Sequence, residues 1–243
     1  MTSTKVTASN AKSPNAEDIK NLFGSISDTY DKANDVITLG LARLWRRQLV
    51  RWSGAQPKQN VLDCATGTGD LALEFKKAVG SQGRVAGTDF CEEMLAVAPQ
   101  KAARLKLEVD FSIADVLDLP FGDGEFDVTS IAYGIRNVSD PKRALCEMAR
   151  VTRHGGVVMI LETGKSKIPV VSQVMNFYFS QLVPRLGGLI SGHRSAYNYL
   201  QNSSRMFLSG EDFLSLMKST KVFSHCECRT LMGGASYIYK GVV

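Results

Sequence analysis

The chain has 243 residues, with 29 Lys and Arg against 24 Asp and Glu, a formal charge of +5, and 44% hydrophobic and 22% charged residues. Such proportions exclude wholesale disorder and fit one large or two small soluble domains, while the charge balance falls short of that of a dedicated nucleic-acid binder. The surplus is local: Thr163 to Gly210 contains Lys165, Lys167, Arg185, Arg194 and Arg205 and no acid, so the rest of the chain carries 24 bases and 24 acids.

No apolar run reaches the roughly eighteen residues of a membrane span, and the polar N-terminus lacks the apolar core of a secretory signal, which predicts a cytoplasmic chain. Five cysteines, an odd number, predict free thiols rather than a disulfide framework. Cys226 and Cys228, beside His225, lack CxxC spacing and a fourth ligand. They read as small apolar thiols on a strand, with no metal.

In chain order, residues 1–18 read as a solvated tail and structure is expected from Ile19. Val36, Ile37, Leu41, Leu44, Trp45, Leu49 and Trp52 recur at helical spacing, which predicts one amphipathic helix over Val36–Trp52, within a helical cap spanning 19–56. Strand-like and helical segments then alternate. Asn60–Ala65 (strand) is followed by Asp70–Val79 (helix), Arg84–Asp89 (strand), Glu92–Ala103 (helix), Leu107–Ala114 and Phe126–Ala132 (strands), Pro141–Arg153 (helix) and Val157–Glu162 (strand). Pro141 suits a first helical turn, and Gly155-Gly156 suits a helix stop. Glu211–Ser219 reads as a helix, and Val222–Leu231 and Ala235–Val242 as strands joined closely enough to pair antiparallel. The prediction is an α/β, doubly wound, Rossmann-like sheet of seven strands ending in an antiparallel hairpin, in one domain over 19–243.

The sharpest local feature is Val61-Leu62-Asp63-Cys64-Ala65-Thr66-Gly67-Thr68-Gly69-Asp70, a strand entering a glycine turn and then a helix. Glycines let a ligand approach the backbone, and a helix N-terminus offers free N–H groups. Asp89, twenty residues past Gly69, closes the second strand where a carboxylate can accept both hydroxyls of a ribose. Gly67-x-Gly69-x-x-Ala72 also satisfies a relaxed dinucleotide fingerprint, but no tyrosine has lysine four residues later, as a short-chain dehydrogenase requires.

The pattern D-x-A-x-G-x-G from Asp63 resembles the first motif of class I S-adenosylmethionine-dependent methyltransferases, with Ala65 in place of their first glycine. A wider resemblance joins it. The run Tyr30-Asp31-Lys32-Ala33-Asn34-Asp35 on to Arg46, the stretch Leu119 to Asp127, Tyr133-Gly134-Ile135-Arg136-Asn137-Val138-Ser139-Asp140, Arg150 to Gly156, and Tyr197-x-Tyr199-Leu200 with Ser204-x-Met206 and Gly233-Gly234 are similar to the menaquinone/ubiquinone biosynthesis C-methyltransferases. The resemblance implies methyl transfer from S-adenosylmethionine to a ring carbon of a prenylated quinol such as demethylmenaquinol. It implies cofactor contacts at Thr68, Asp89, Asp115, Val116 and position 132, where Ala132 replaces the family's usual serine, and Asp63, Gly67 and Gly69 of the glycine turn are expected beside them. Ala33, His154 and Phe207-Leu208-Ser209 are further departures, the last on the acceptor side.

Such chemistry needs the acceptor carbon aligned with the methyl group and its phenolic proton removed. Arg136 is assigned to stabilise the resulting oxyanion and orient a water, since a guanidinium stays protonated and cannot itself be the base. A structural pair with Asp140 or Asp31 is its alternative. Asn137 and Tyr30 are expected on the substrate side, and His193 suits an exposed cap or a membrane-facing cation. The acid-free, apolar segment 163–210 is expected to be an acceptor-side helical insertion touching the bilayer. Competing readings are a methyltransferase of another lipid or small molecule, and a silent S-adenosylmethionine-binding subunit of a quinone-synthesis complex. A homodimer stays open. No Asn/Asp-Pro-Pro-Tyr/Phe tetrapeptide follows the fourth strand, which argues against nucleic-acid methylation.

Overall fold

A computed structural model describes residues 15–166, 168, 169, 173, 178 and 194–243. Residues 1–14 of the expected tail, nearly half of the predicted insertion and His193 lie outside the described residues. Three helices come first: α1 (Ala16–Gly24), α2 (Ser27–Thr38) and α3 (Leu41–Ser53). The first starts before the expected Ile19 because the Asn15 side chain caps it, accepting from the Glu17 N–H at 3.1 Å.

The single helix expected over Val36–Trp52 is instead broken. Leu39 and Gly40 adopt φ of 51° and 75°, the Gly40 N–H donates to Asp35 O and the Leu39 N–H to Val36 O, which together close α2 in a left-handed terminus. Arg43 spans the break, its Nε donating to Asp35 Oδ1 at 2.7 Å. Glycine at position 40 permits the turn without disturbing the apolar periodicity on either side, so spacing alone joins two helices into one.

The strands are β1 (Asn60–Cys64), β2 (Arg84–Asp89), β3 (Asp110–Ile113), β4 (Phe126–Ala132), β5 (Thr152–Thr163), β6 (His225–Leu231) and β7 (Ser236–Val242). Between them lie α4 (Asp70–Val79), α5 (Glu92–Leu95), α6 (Ala98–Leu105), α7 (Pro141–Val151), α8 (Arg194–Met206) and α9 (Glu211–Ser219). The helix expected over Glu92–Ala103 divides into α5 and α6. Pro99, in the first turn of α6, cannot donate the N–H a continuous helix would need. Gly155-Gly156 does not stop α7, which ends at Val151. Instead the two glycines accompany an irregularity in β5, where the pairing jumps from Phe126–Thr152 to Val128–Val157.

Among the described residues the sheet has seven strands in the order β3-β2-β1-β4-β5-β7-β6, parallel from β3 to β5, with β7 antiparallel to both β5 and β6. The predicted fold and its terminal hairpin are both present. Side chains alternate between two buried faces. Met159, Leu161 and Ile238 join Trp45 and Leu49 of α3 and Phe75 of α4, while Val158, Ile160 and Tyr239 join Leu145 and Met148 of α7 and Phe213 of α9. Because the strand order reverses between β1 and β4, the carboxyl ends of these two strands diverge and leave a crevice there.

Candidate active site

The crevice is a groove with about 840 Å³ of empty space at the ends of β1, β2 and β4. It is lined by Gly67, Asp89, Asp115, Val116, Ala132, Asn137 and Tyr30, all expected site residues. Asp89 is 6% exposed and tightly placed: Oδ2 accepts from the Gly67 N–H at 2.8 Å and Oδ1 from the Cys91 N–H at 2.9 Å. Each oxygen keeps a lone pair, so the carboxylate can still accept two hydroxyls. Burial pushes its pKa up and the backbone donors pull it back, with a net rise. Asp115 accepts from the Leu117 N–H at 2.9 Å, holding the turn after β3 beside the apolar walls Phe90, Met94 and Val116. A flat, mainly apolar slot with a ribose-type carboxylate fits the nucleoside of S-adenosylmethionine.

Three of the expected cofactor residues lie outside the groove lining. Asp63 is 1% exposed and accepts from the hydroxyls of Thr66 at 2.6 Å and Ser130 at 2.8 Å. It ties the turn after β1 to the neighbouring strand β4 and is absent from the groove lining, and burial raises its pKa to about 6. Gly69 is packed inside: a Cβ there would stand 2.9 Å from Ala98 Cβ and 3.1 Å from the Phe111 ring. The Thr68 hydroxyl donates to Asp31 of α2 at 2.6 Å, and Lys101 of α6 donates to both Thr68 and Asp31. Both Asp63 and Thr68 border a second, polar cavity of about 340 Å³ that adjoins the groove.

Arg136 also differs from expectation. It sits in a 3₁₀ turn (Ile135–Asn137) after β4, and its partner is neither Asp140 nor Asp31 but Glu162 of β5, with NH1 2.5 Å from Oε1. The two side chains are 6% and 1% exposed. Glu162 Oε1 also accepts from the Thr163 N–H and hydroxyl, whereas Arg136 Nε and Glu162 Oε2 are buried with no hydrogen-bond partner among the described residues. Asn137, the next residue, lines the groove, and its Oδ1 accepts from the Tyr199 hydroxyl of α8 at 3.3 Å, which leaves its NH₂ as a donor.

Sequence reasoning missed two backbone features. Ala65 and Tyr133, at the ends of β1 and β4, have φ of 47° and 58°, conformations that cost a side-chain-bearing residue on the order of 1–3 kcal/mol each. Between them Gly134 has no room for a side chain, since a Cβ would lie 2.7 Å from Ala65 Cβ. Arg46 and Glu162 were also missed, because both act on residues distant in the chain. Ala132 borders both cavities, so the hydroxyl a serine would place there is absent from their junction. The five cysteines are free thiols; Cys226 and Cys228 lie on β6, and among the described residues no group of His, Cys, Asp and Glu is placed to hold a metal.

Comparison with solved structures shows the same fold in magnesium protoporphyrin IX methyltransferase from Synechocystis, with a TM-score of 0.65 and 16% identity over 94% of this chain and 99% of that one. The [4+2]-cyclase SpnF matches as well, with a TM-score of 0.64 and 15% identity over 95% of this chain and 96% of that one, so the fold alone does not name a reaction. Sequence relatives are nearer. The ubiquinone/menaquinone biosynthesis C-methyltransferase UbiE of Bdellovibrio bacteriovorus is 54% identical over 231 residues, 95% of this chain and 98% of its own. The demethylmenaquinone methyltransferase of Staphylococcus aureus is 36% identical over 227 residues, 93% of each chain. With residues 9–243 matching the family's model, the chain belongs to the ubiE/COQ5 methyltransferase family.

Proposed function

We propose that the chain transfers a methyl group from S-adenosylmethionine to a ring carbon of a prenylated quinol, with demethylmenaquinol as the acceptor. One observation carries the reading beyond family membership: a single groove joins the nucleoside-type residues Gly67, Asp89, Asp115 and Val116 to the expected acceptor-side residues Tyr30 and Asn137. Bound S-adenosylmethionine supplies an electrophilic sulfonium methyl. The protein's own task is to hold the acceptor in line, exclude water and stabilise the phenolate.

Asn137, with its carbonyl taken by Tyr199, presents NH₂ to the acceptor oxygen. Arg136 stands behind it as a positioning residue whose charge Glu162 holds in place. Tyr30 packs edge-on against Phe23, with ring centroids 6.1 Å apart, and brings the cap helices α1 and α2 over the groove. Peripheral contact with the bilayer through 163–210 belongs to the same reading. It is supported by exposed Ile168, Met206 and Leu208 in that segment and Met232 on the adjoining hairpin turn, where the Ser166 hydroxyl donates to Gly233 O. Among the described residues no helix is long and apolar enough to cross a membrane.

The test is incubation of the purified chain with methyl-tritiated S-adenosylmethionine and reduced demethylmenaquinone in vesicles containing anionic lipid. Label entering the quinone fraction is expected. Binding of the cofactor without transfer to this or any extracted quinone would overturn the proposal.

A further inference from the structure

The junction between α2 and α3 carries apolar surface. Leu39 is 79% exposed, more than any other large apolar side chain among the described residues, and Val36 and Leu44 on either side of it in the chain are exposed as well. The Leu39 backbone is left-handed, with φ of 51° and ψ of 36°, a conformation that glycine or asparagine takes with less strain. Leucine at this position gains neither burial nor an easy turn. Single apolar side chains scattered over a surface are ordinary, but three at one helix junction make a patch.

Positive charge gathers at the same place. From Lys32 to Arg51 the chain has five bases and one acid, Asp35. Arg46 turns inward, its NH1 lying 2.9 Å from Asp70 Oδ2. Arg43, Arg47 and Arg51 recur every four residues along the outer face of α3, and all three are exposed. Arg43 pairs with Asp35 and Arg47 lies 3.4 Å from Glu74, while Arg51 forms no ion pair among the described residues. Exposed pairs of this kind are weak, so these cations stay available to an anionic surface. The junction also adjoins the acid-free segment 163–210, because the Tyr178 hydroxyl donates to Ile37 O at 2.8 Å, two residues before Leu39. Near the other end of α2, Tyr30 lines the groove, about 13 Å away along the helix axis.

We propose that the α2–α3 junction is a membrane-docking surface, with Leu39 entering the acyl boundary of an anionic bilayer and the outer arginines of α3 meeting its lipid phosphates; the proposal rests on the prenylated-acceptor reading given above. An exposed apolar tip flanked by bases complements a surface that is oily within and negative at its face. It adds a second contact to the one through 163–210. Helix α2 then has one end at the bilayer and the other at the groove, so docking brings the groove beside the lipid phase that holds the acceptor.

The test is sedimentation of the full chain with vesicles of phosphatidylcholine, alone or with added phosphatidylglycerol, alongside methyl transfer to a naphthoquinol without a prenyl tail. The unaltered protein is expected to bind the anionic vesicles more tightly by roughly tenfold or more. Leu39→Asn suits the left-handed turn and should fold, yet it should weaken anionic-vesicle binding by roughly tenfold or more, the effect of burying one leucine side chain. Arg51→Gln should weaken it about fivefold, the share of one base near an anionic surface, and high salt should erase that difference. Both variants should keep the unaltered rate with the tailless acceptor in the absence of vesicles. Vesicle binding that Leu39→Asn leaves unchanged, or equal binding to both kinds of vesicle, overturns the surface. So does pairing of two copies through this face, seen as dimers that Leu39→Asn converts to monomers while vesicle binding persists. Because sedimentation needs no turnover, its outcome is read separately from a failure of methyl transfer, which would overturn the function proposed above.

Discussion

Asp63 gives the most direct test of how the turn after β1 is held against β4. Its carboxylate is 1% exposed, and burial raises its pKa to about 6 from an ordinary 3.8, the Thr66 and Ser130 hydroxyls offsetting only part of the cost. At about 1.36 kcal/mol per pH unit, this gap is worth about 3 kcal/mol. The folded state binds the proton more tightly than the unfolded chain does. The contribution to stability is therefore fully present below pH 3.8, is lost as pH rises through about 6, and is absent at neutral pH. Asp63→Asn removes this titration and leaves the other groups in place. The perturbation of Thr66 and Ser130 adds an offset that does not change with pH. Urea unfolding followed by the fluorescence of Trp45 and Trp52 at pH 4 and pH 7.5 should show the unaltered protein gaining about 2.4 kcal/mol relative to Asp63→Asn at the lower pH, most of the full gap. A difference constant within about 0.5 kcal/mol, or one of opposite sign, would refute the buried, ionisable assignment of Asp63.

Three further variants probe the end of β4. Glu162→Gln leaves the Arg136 charge buried without a counter-ion and should cost about 3–5 kcal/mol in urea unfolding, whereas the double change Arg136→Met with Glu162→Leu should recover at least about 2 kcal/mol of this while remaining inactive. Gly134→Ala places a Cβ 2.7 Å from Ala65 Cβ. It should destabilise the chain by roughly 1–3 kcal/mol and weaken S-adenosylhomocysteine binding more than tenfold, read by calorimetry; unaltered affinity would show that the strand ends can part without disturbing the nucleoside slot.

What was legible in the sequence was mostly local. The turn from Asp63 to Asp70 declares itself because strand, glycines and helix follow in one short run, and Asp89 falls at a distance set by one helix and one strand. Asp63 and Thr68 stand out in the sequence, but the side chains that hold them do not, since those partners come from far along the chain. Ser130 is 67 residues from Asp63 and Asp31 is 37 from Thr68. Arg136 shows the same limit: a cation after β4 is visible, but that β5 lays Glu162 beside it depends on the order of strands in the sheet. The break at Leu39-Gly40 and the division at Pro99 were hidden by the tolerance of helical periodicity, which continues across an interruption when both helices pack on the same core. The motifs around Tyr30, Arg136 and Tyr199 spoke only through resemblance, and the structure gives them a physical reason in the shared groove and the bond from Tyr199 to Asn137.

The position of β7 between β5 and β6 has a consequence for biosynthesis. On the ribosome β5 is made first and can pair with β4 on one side, but its other edge and all of β6 have no partner until β7, made after both, lies between them. Roughly 70 residues separate the paired ends of β5 and β7, which at about 5–20 residues per second leaves the hydrogen-bonding edge of β5 uncovered for on the order of 4–15 s in each round of translation. That edge carries Ile160 and Leu161, and neighbouring nascent chains on one messenger would present the same edge at close range. Slow translation through this interval, or crowding of ribosomes along it, should therefore favour chain-to-chain pairing over the native sheet, and the yield of soluble protein should depend on the rate at which the final hairpin emerges.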